Sequence, residues 1–593
     1  AEKEAFDLCS QVCHGEMVVP SELFEQIAPR ITKSNMEETT RRFSTLHRAS
    51  GTPDAEEAAD YLLQKLEEYG IPHWRLKFTG YMSRAVDASL EMLSPQKTEF
   101  DVVPCGFTKN VTNLEGEVFY DALCEKERLT YQEQAERFSG AAGKFVLTKV
   151  YCSDVVLEAA AAGAIGVIGM YNGPGESPHY FGASNHNGAP TPENRHLLPQ
   201  LPCVDCTRAT GETILKAMEQ GPVRMRMSAR AETGPTEASI PVAFIQGTEE
   251  NFVLMDGHYD CHCTGMTDNG GGDAILLELT RVFYEMRHLL RRSILVCWWA
   301  GHEFGQYAGS TWYSDTYFEH LRDHCVAHIN IDIAGCSNAK QIRARTTRME
   351  GQEFTERLIR KYTGQEPKPY IQLPHLGEQS FLGREVPITI MLKYEALQAD
   401  TGGNVGGGNW WHSREDTLDK VDLDIAMRDA AINAEMVCQI VNGRHLPVQM
   451  SEYLQESGRL LREIDGELTP EEFDLAPAFE KLAAVQAKVR ELEEEIPKHD
   501  DTDAILQKVA GGLIQVEYTY TPPYDYDRLG IPANFQKFRA AMGATRENTD
   551  AETFLFLKTD FLRQRNRLCG ELDRIIEQID YQLLKWNCNS IQK

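Results

Sequence analysis

Long apolar runs are missing from this sequence, and no uninterrupted stretch is long enough for a membrane-spanning helix. The N-terminus, AEKEAFDLCSQVCHGEM, has no basic start followed by an apolar core, so we identify no signal peptide, although a processed mature chain would look the same. Basic charge is also scarce, because 60 Lys and Arg stand against 89 Asp and Glu, for a net charge of −29. Nucleic acids and anionic membranes require basic surfaces, so we exclude both as partners.

Cysteines are present, but they follow no disulfide pattern. The 15 cysteines are scattered and odd in number, which is typical of proteins in the reducing cytosol, and we predict a cytoplasmic location. Cys203 and Cys206 form a single CxxC without a second pair downstream. We interpret them as structural thiols, with a metal or redox site as the alternative.

The chain is too long for one hydrophobic core, so we expect two to four domains. Residues 1–80 are predicted to be a helical segment packed on the domain formed by 246–445, and 81–245 a small α/β insert. Strands and helices alternate over 246–445, which is typical of a mostly parallel mixed sheet flanked by helices, an α/β fold. Residues 446–593 are predicted to be an all-α C-terminal domain.

Local signals place some of these elements. Ser34 followed by Glu37 is interpreted as a capping box. Thr52 and Pro53 are predicted to start a helix that ends at Gly70. Strands are predicted at 251–257, 293–301 and 325–333, and three strand or helix segments of the insert at 143–150, 155–164 and 165–172.

Potential metal ligands follow the ends of the predicted strands. In parallel sheets such ends meet at one edge, so side chains far apart in sequence converge there. Two histidines and three carboxylates suit a borderline-hard divalent ion, zinc first. The predicted metal ligands are His258, Asp268, Glu303, Asp332 and His412. Taken singly, each would be interpreted as a cap or a core residue; together they predict a metal site.

Neighbouring residues are predicted to support that site. Asp260 is positioned to hydrogen-bond the far ring nitrogen of His258, and Asp416 to do the same for His412. Cys261, His262 and Cys263 lie in the same loop as Asp260. We expect these three to pack beside the site, with metal ligation as the alternative. His324 and His328 are interpreted as core residues.

These residues stand in motifs that resemble the co-catalytic zinc aminopeptidases and their larger relatives, glutamate carboxypeptidase II and the transferrin receptor. The motifs are GHYD (257–260), DNGGG (268–272), GHEFGQYAGS (301–310), NIDIAG (330–335) and WHSREDT (411–417). The resemblance implies a phosphorylase/hydrolase-like fold, a protease-associated insert at 81–245 and a dimerising helical tail. It also implies two zinc ions, one held by His258, Asp268 and Asp332 and the other by Asp268, Glu303 and His412.

One position departs from the family pattern. The family has two glutamates where this chain has His302 and Glu303, and the first of them is the general base. An imidazole, with an unperturbed pKa near 6.5, can accept a proton at neutral pH. His302 is therefore predicted to be a catalytic proton shuttle, with metal ligation or lost activity as the alternatives.

Two functions remain open from the sequence. The first is a metal-dependent hydrolase of an amide-type bond, in a peptide or a small amidated or carbamoylated compound, that uses a metal-bridging hydroxide with His302 and Asp260 as catalytic residues. Tyr394, Trp410 and Trp411 are predicted to line its pocket, with positions in the hydrophobic core as the equal alternative. The second is a non-catalytic, receptor-like relative; we favour the hydrolase because all five ligands are present. The helical tail predicts a homodimer, with an intramolecular bundle as the alternative.

Overall fold

The computed structural model describes residues 18–149, 153–373, 379–395, 407–529 and 534–591. The strands in these ranges are β1 His73–Ser94, β2 Thr98–Phe100, β3 Val102–Pro104, β4 Val111–Tyr120, β5 Phe145–Thr148, β6 Gly166–Met170, β7 Cys203–Cys206, β8 Arg224–Ile245, β9 Phe252–His258, β10 Ser293–Trp299, β11 Cys325–Asn330, β12 Gln341–Thr346, β13 Ile371–Gln372 and β14 Thr389–Glu395. The α-helices are α1 Pro20–Ile27, α2 Lys33–Phe43, α3 Pro53–Glu68, α4 Tyr131–Glu136, α5 Ser153–Ala161, α6 Arg208–Met218, α7 Gly271–Glu285, α8 His302–Gly305, α9 Ala308–Thr316, α10 Phe318–His324, α11 Gln352–Thr363, α12 Leu423–Asn442, α13 Met450–Asp465, α14 Ala476–Glu495, α15 Asp503–Tyr518, α16 Gln536–Arg539 and α17 Ala551–Ile591.

The strands join into one mixed sheet with the order β13-β12-β14-β11-β9-β10-β8-β4-β5-β6-β7-β3. At its centre β9 runs parallel to both β10 and β11, and β11 runs parallel to β14. Every residue of β9, β10 and β11 is buried, as expected for parallel strands covered on both faces. The antiparallel strands β8 and β12 complete this part. The predicted mostly parallel mixed sheet flanked by helices is confirmed.

A long antiparallel ribbon connects the two ends of the sheet. β1 and β8 have 22 residues each and pair from His73 opposite Ala243 to Ser94 opposite Arg224. The prediction that residues 73–80 are helical is therefore wrong. Their backbone groups pair with a strand more than 150 residues away, and no local pattern reveals such a partner.

The far end of the sheet has its own buried clusters. Side chains of β5, β6, β7 and the far ends of β1 and β8 form two clusters that are separate from the main core. The segments predicted at 143–150, 155–164 and 165–172 correspond to β5, α5 and β6. Cys203 and Cys206 lie at the two ends of β7 as buried free thiols. The boundaries 81–245 and the protease-associated identity of this part stay predictions.

Of the N-terminal helices, α3 packs on β8 and β1 of the sheet, whereas α1 and α2 pack on α12 and α7. Thr52 caps α3 by accepting a hydrogen bond from the backbone N–H of Ala55. The capping box predicted at Ser34 is wrong, because α2 begins at Lys33 and makes no side-chain cap. The backbone N–H and hydroxyl of Thr32 donate instead to the carboxylate of Glu278 on α7, at 2.7 and 3.0 Å. Residues 1–17 lie outside the described part.

The C-terminal residues are helical, as predicted, and a buried ion pair joins them to the sheet. Arg292, directly before β10, makes two 2.7 Å hydrogen bonds to Asp503 at the start of α15. Removing one partner of such a buried pair costs about 3–5 kcal/mol, because the other charge is then left buried and unpaired. Within the described ranges, no helix has both the length and the apolar character needed to cross a membrane.

Candidate metal centre

The central parallel strands bring three of the predicted ligands to one edge of the sheet. His258 is the last residue of β9 and is in register with Trp299, the last residue of β10. The chain then turns at Gly301 into α8, whose second residue is Glu303. Asp332 follows β11, the other neighbour of β9. These three side chains therefore lie together at the carboxyl ends of the parallel strands, where the sequence predicts them.

Asp268 lies between two imidazoles. Its Oδ1 is 3.0 Å from Nε2 of His258, and its Oδ2 is 3.1 Å from Nε2 of His412. His258 Nε2 is also 3.2 Å from Oδ1 of Asp332, and His412 Nε2 is 2.9 Å from Oε1 of Glu303. All five predicted ligands thus meet in one place, and a carboxylate is shared between two groups of donors.

The donors form a buried, negatively charged cluster. Burial alone would lower the pKa of His412, but Glu303 and Asp268 raise it to about 10. In the same way the neighbouring carboxylates, Asp332 first, raise the pKa of the fully buried His258 well above its usual value. The cluster therefore attracts positive charge, either protons on the imidazoles or a metal cation.

The donor set fits a zinc site. Among the described residues, Oδ1 of Asp268 has no hydrogen-bond partner, although Nε2 of His258 is 3.0 Å away. A buried carboxylate oxygen without a hydrogen bond is costly unless a cation binds it. Two zinc ligands at about 2.1 Å from one ion and at a tetrahedral angle lie about 3.4 Å apart. The separations of 2.9–3.2 Å between donors are close to that value.

Backbone carbonyls orient the two histidines. Nδ1 of His258 lies 2.9 Å from the main-chain oxygen of Asp260, whereas the Asp260 carboxylate is 3.4 Å away. That carboxylate accepts hydrogen bonds from the hydroxyl of Ser50 and the backbone N–H of Glu303. Asp260 thus orients His258, as predicted, but through its backbone, and its side chain fixes the start of α8.

Asp416 supports the site differently from the prediction. Nδ1 of His412 faces the carbonyl oxygen of Tyr180, at 2.7 Å, so the predicted contact with Asp416 is wrong. The Asp416 carboxylate instead accepts hydrogen bonds from the backbone N–H groups of Thr267 and Asp268 and from the Thr267 hydroxyl. Asp416 therefore holds the loop that carries the shared carboxylate.

A buried arginine from the N-terminal segment braces the same loop. Arg48 is fully buried and donates hydrogen bonds to the carbonyl oxygens of Tyr259, Thr264 and Gly265, at 2.8–3.1 Å. These carbonyls belong to the loop between His258 and Asp268. The N-terminal helices thus contribute to the geometry of the site.

His302 lies against the donors rather than in solvent. Its ring stacks on that of His258 with 3.7 Å between centroids and 7° between planes, and the residue is 8% exposed. The rings of Tyr307 and His302 meet at 72°, with 4.8 Å between their centroids. The residue that departs from the family pattern therefore sits directly beside the candidate ligands.

The three aromatic residues predicted to line a pocket have different surroundings. Tyr394 is 1% exposed and its hydroxyl accepts a hydrogen bond from Asn433, so its predicted pocket role is wrong and it belongs to the core. Trp411 stacks on His412 at 3.5 Å, and Trp410 donates its indole N–H to the Thr267 hydroxyl. Both tryptophans pack around the ligand loops.

His262, predicted to pack beside the site with metal ligation as the alternative, carries a further potential donor atom. It forms a group with Glu303 and His412 in which one ligand atom from each lies within 4.8 Å of the others. Cys261 in the same loop is buried and its thiol donates to the Cys263 carbonyl, as packing predicts. Tyr180 lies between β6 and β7; its ring stacks on His262 and its backbone carbonyl faces Nδ1 of His412. No sequence signal indicated this residue.

Comparison with known proteins adds to this geometry. Residues 242–437 match the family described as Peptidase family M28. Aminopeptidase NAALADL1 of Mus musculus is 36% identical over 112 residues, which are 18% of this chain and 15% of that protein. The probable glutamate carboxypeptidase VP8 of Zea mays is 35% identical over 95 residues, 15% of this chain and 13% of that protein. The alignments thus span well under two thirds of these relatives.

One further relative bears on activity and one solved structure bears on the fold. A Schizosaccharomyces pombe protein named inactive zinc metalloprotease is 33% identical over 98 residues, 16% of this chain and 12% of that protein. The crystal structure of a peptidase M28 precursor from Shewanella amazonensis SB2B has a TM-score of 0.57 at 17% identity. The superposition covers 72% of this chain and 98% of the Shewanella amazonensis chain. At that identity the likeness concerns the fold alone.

Proposed function

We propose that the protein is a zinc-dependent hydrolase of an amide-type bond, a proposal supported by the match of residues 242–437 to the family described as Peptidase family M28. The substrate we propose is a peptide or a small amidated or carbamoylated compound. One observation carries the proposal: the Asp268 carboxylate lies between His258 and His412, each of which has a second carboxylate beside it.

The donors divide into two ion positions. The Asp332 position comprises His258, Asp268 and Asp332, and the Glu303 position comprises Asp268, Glu303 and His412. When bound, two zinc ions at such positions polarise a substrate carbonyl and lower the pKa of a water molecule. Histidine and carboxylate donors at these separations support zinc.

The chain's own residues supply the proton transfer and hold its geometry. A ring nitrogen of His302 accepts the proton released by the attacking water and passes it to the leaving amine. Stacking on His258 and an edge contact with Tyr307 fix the orientation of the His302 ring. Asp260 acts through others, because its backbone oxygen orients His258 and its carboxylate holds the N–H of Glu303.

A catalytically silent relative is the alternative function. Two observations favour it: His302 replaces the glutamate of the family pattern, and one relative is named inactive. In that case the ions would bind and no amide substrate would be turned over. Metal content and turnover together distinguish the two functions.

The direct test is metal analysis combined with chelation. We expect the purified protein to contain close to two zinc ions per chain, measured by plasma mass spectrometry. A chelator should lower hydrolysis of a panel of peptides, amino-acid amides and N-carbamoyl amino acids by at least about 100-fold, and added zinc should restore it. A protein that contains no near-stoichiometric divalent metal, or that is indifferent to the chelator, would contradict the proposal. Two bound ions without turnover of any substrate would favour the silent relative.

We also propose a homodimer that forms through α17. One face of this helix packs on α14 and α15, and its other face exposes apolar side chains. These are Leu555, Phe556, Leu562, Tyr581 and Leu584, which are 47–71% exposed. A stripe of this kind on a long helix supports burial against a second copy.

Charge on that stripe should separate the copies. We expect Leu555→Glu combined with Leu584→Glu to convert a dimer to a monomer in sedimentation velocity runs, because burial of two carboxylates is costly. Arg357→Glu, an exposed position on the separate helix α11, serves as the control. A wild-type monomer at micromolar concentration would favour the intramolecular bundle instead.

A reducing compartment, the cytosol, is the location we propose. The cysteines of the described ranges are free thiols, most of them buried. Free buried thiols are typical of proteins in reducing compartments.

A further inference from the structure

A second histidine faces the Glu303 carboxylate. Nε2 of His262 is 3.8 Å from Oε2 of Glu303, while Nε2 of His412 is 2.9 Å from Oε1 of the same carboxylate. These separations lie on either side of the about 3.4 Å expected for two ligands of one tetrahedral zinc ion. The two imidazoles thus approach one ion position from different directions.

The ring of His262 is held in place from both sides. Tyr180, from the insert, stacks parallel to it at 5.1 Å with 9° between planes, and Phe304 packs against it at 4.9 Å. The ring of His412 lies 4.8 Å away at 64°. The side chain is 11% exposed, so solvent has little access to it. Its orientation towards Glu303 is therefore set by packing.

The nitrogens of this ring are not used elsewhere. In the described part of the chain neither of them makes a hydrogen bond, and the nearest carboxylate oxygen is the one on Glu303. The ligand atoms grouped with this ring are those of Glu303 and His412, which belong to the Glu303 position. A metal ion at the Glu303 position would satisfy a nitrogen of this ring.

We propose that His262 is a fourth protein ligand at the Glu303 position. This inference rests on the proposed two-ion site and goes beyond it. Asp268, Glu303, His412 and His262 would then surround one ion, whereas His258, Asp268 and Asp332 give the other position three ligands. A four-ligand tetrahedral site is closed, and a three-ligand site keeps a place for substrate.

The proposal makes the two positions unequal. The Glu303 position has two imidazoles and two carboxylates, and imidazole-rich sites favour zinc, copper and nickel over magnesium and manganese. The Glu303 position would therefore bind its metal ion more tightly and more selectively than the Asp332 position. Its ion would also hold together the loops that carry Asp268, Glu303 and His412. The substrate carbonyl meets the Asp332 position, beside which the ring of His302 stacks on His258.

The test is the binding of metal alone to the metal-free protein. Zn²⁺ titrations against a chromophoric chelator should give two affinities for the wild type. His262→Phe, which keeps an aromatic ring between Tyr180 and Phe304, should weaken one of them by at least about 100-fold and leave the other unchanged. The visible absorption of the Co²⁺-loaded variant should change in the same way, since one ion loses a nitrogen ligand. His320→Phe, which removes a histidine stacked on Phe252, is the matched control.

The outcomes separate this inference from the proposed function. If wild-type protein binds no Zn²⁺, the proposed two-ion site itself fails. If the wild type binds two ions and His262→Phe leaves both affinities and the Co²⁺ spectrum unchanged, the His262 inference is overturned. Equal weakening of both ions, with a lower melting temperature of the metal-free variant, would also overturn it, because it would indicate a packing role. Should His262→Phe fail to fold, His262→Ala carries the same comparison.

Discussion

Replacing Asp268 by alanine should release both metal ions and lower kcat/KM by at least about 10³-fold. Asp268 is the donor common to both ion positions, and its two oxygens face His258 and His412 at 3.0 and 3.1 Å. Without it the Asp332 position keeps only His258 and Asp332, and the Glu303 position loses the carboxylate that links it to the other position. The measurement is metal content after dialysis, together with initial rates on the best substrate of the panel.

Two single-position variants are the matched controls for Asp268→Ala. Asp332→Ala should release one ion and His412→Ala the other, because each side chain contacts one group of donors. A shared carboxylate thus predicts a double loss from one substitution and single losses from the others. If Asp268→Ala retained either ion with wild-type affinity, Asp268 would not be shared and the arrangement proposed here would be wrong.

Replacing His302 by alanine should lower kcat by about 10²- to 10⁴-fold while both ions stay bound, because general acid–base catalysis contributes that much. The ring lies face to face with His258 at 3.7 Å, so its removal takes away a proton acceptor without removing any of the five proposed ligands. Rates and metal content are measured on the same preparation. KM should change little if the ring acts on the proton alone.

His302→Glu is the informative companion variant. It supplies a carboxylate, the group of the family pattern, and should recover much of the activity that His302→Ala loses. Loss of metal from His302→Ala would instead make His302 a ligand. Unchanged activity in His302→Ala would contradict its proposed role altogether.

The strand ends of the central sheet were predictable because parallel strands leave the chain little freedom. Each of His258, Glu303 and Asp332 lies at or just after the end of a short, wholly buried strand, and the α/β alternation places such strands side by side. Residue type and position then indicate the chemistry. No three-dimensional information was needed for this part of the site.

The contacts that orient those ligands were less predictable. Asp416 follows His412 by four residues, yet the chain bends so that its carboxylate reaches the backbone at Thr267 and Asp268. Tyr394 lies on β14, and which of the two faces of a strand is core depends on the helices packed there. Neither the contacts of Asp416 nor the buried face of Tyr394 can be predicted from separation along the sequence.

Contributions from distant parts of the chain were not predictable at all. Arg48 lies between α2 and α3 and donates a hydrogen bond to the carbonyl of Tyr259. Tyr180 lies between β6 and β7, and its own carbonyl faces His412. A carbonyl has no side-chain signature, so no pattern in the sequence indicates it. The same holds for residues 73–80, whose strand exists because β8 pairs with it.

The contact between Tyr180 and His412 has a consequence for how this chain could be divided or recombined. The region that matches the M28 family begins at residue 242, and so contains His412 but neither Tyr180 nor Arg48. A segment that begins at residue 242 would contain all the candidate metal donors, but it would lack the Tyr180 carbonyl that orients His412. That border also falls within β8, which pairs with β1 from residue 224 to residue 243, so a cut there would divide the ribbon itself.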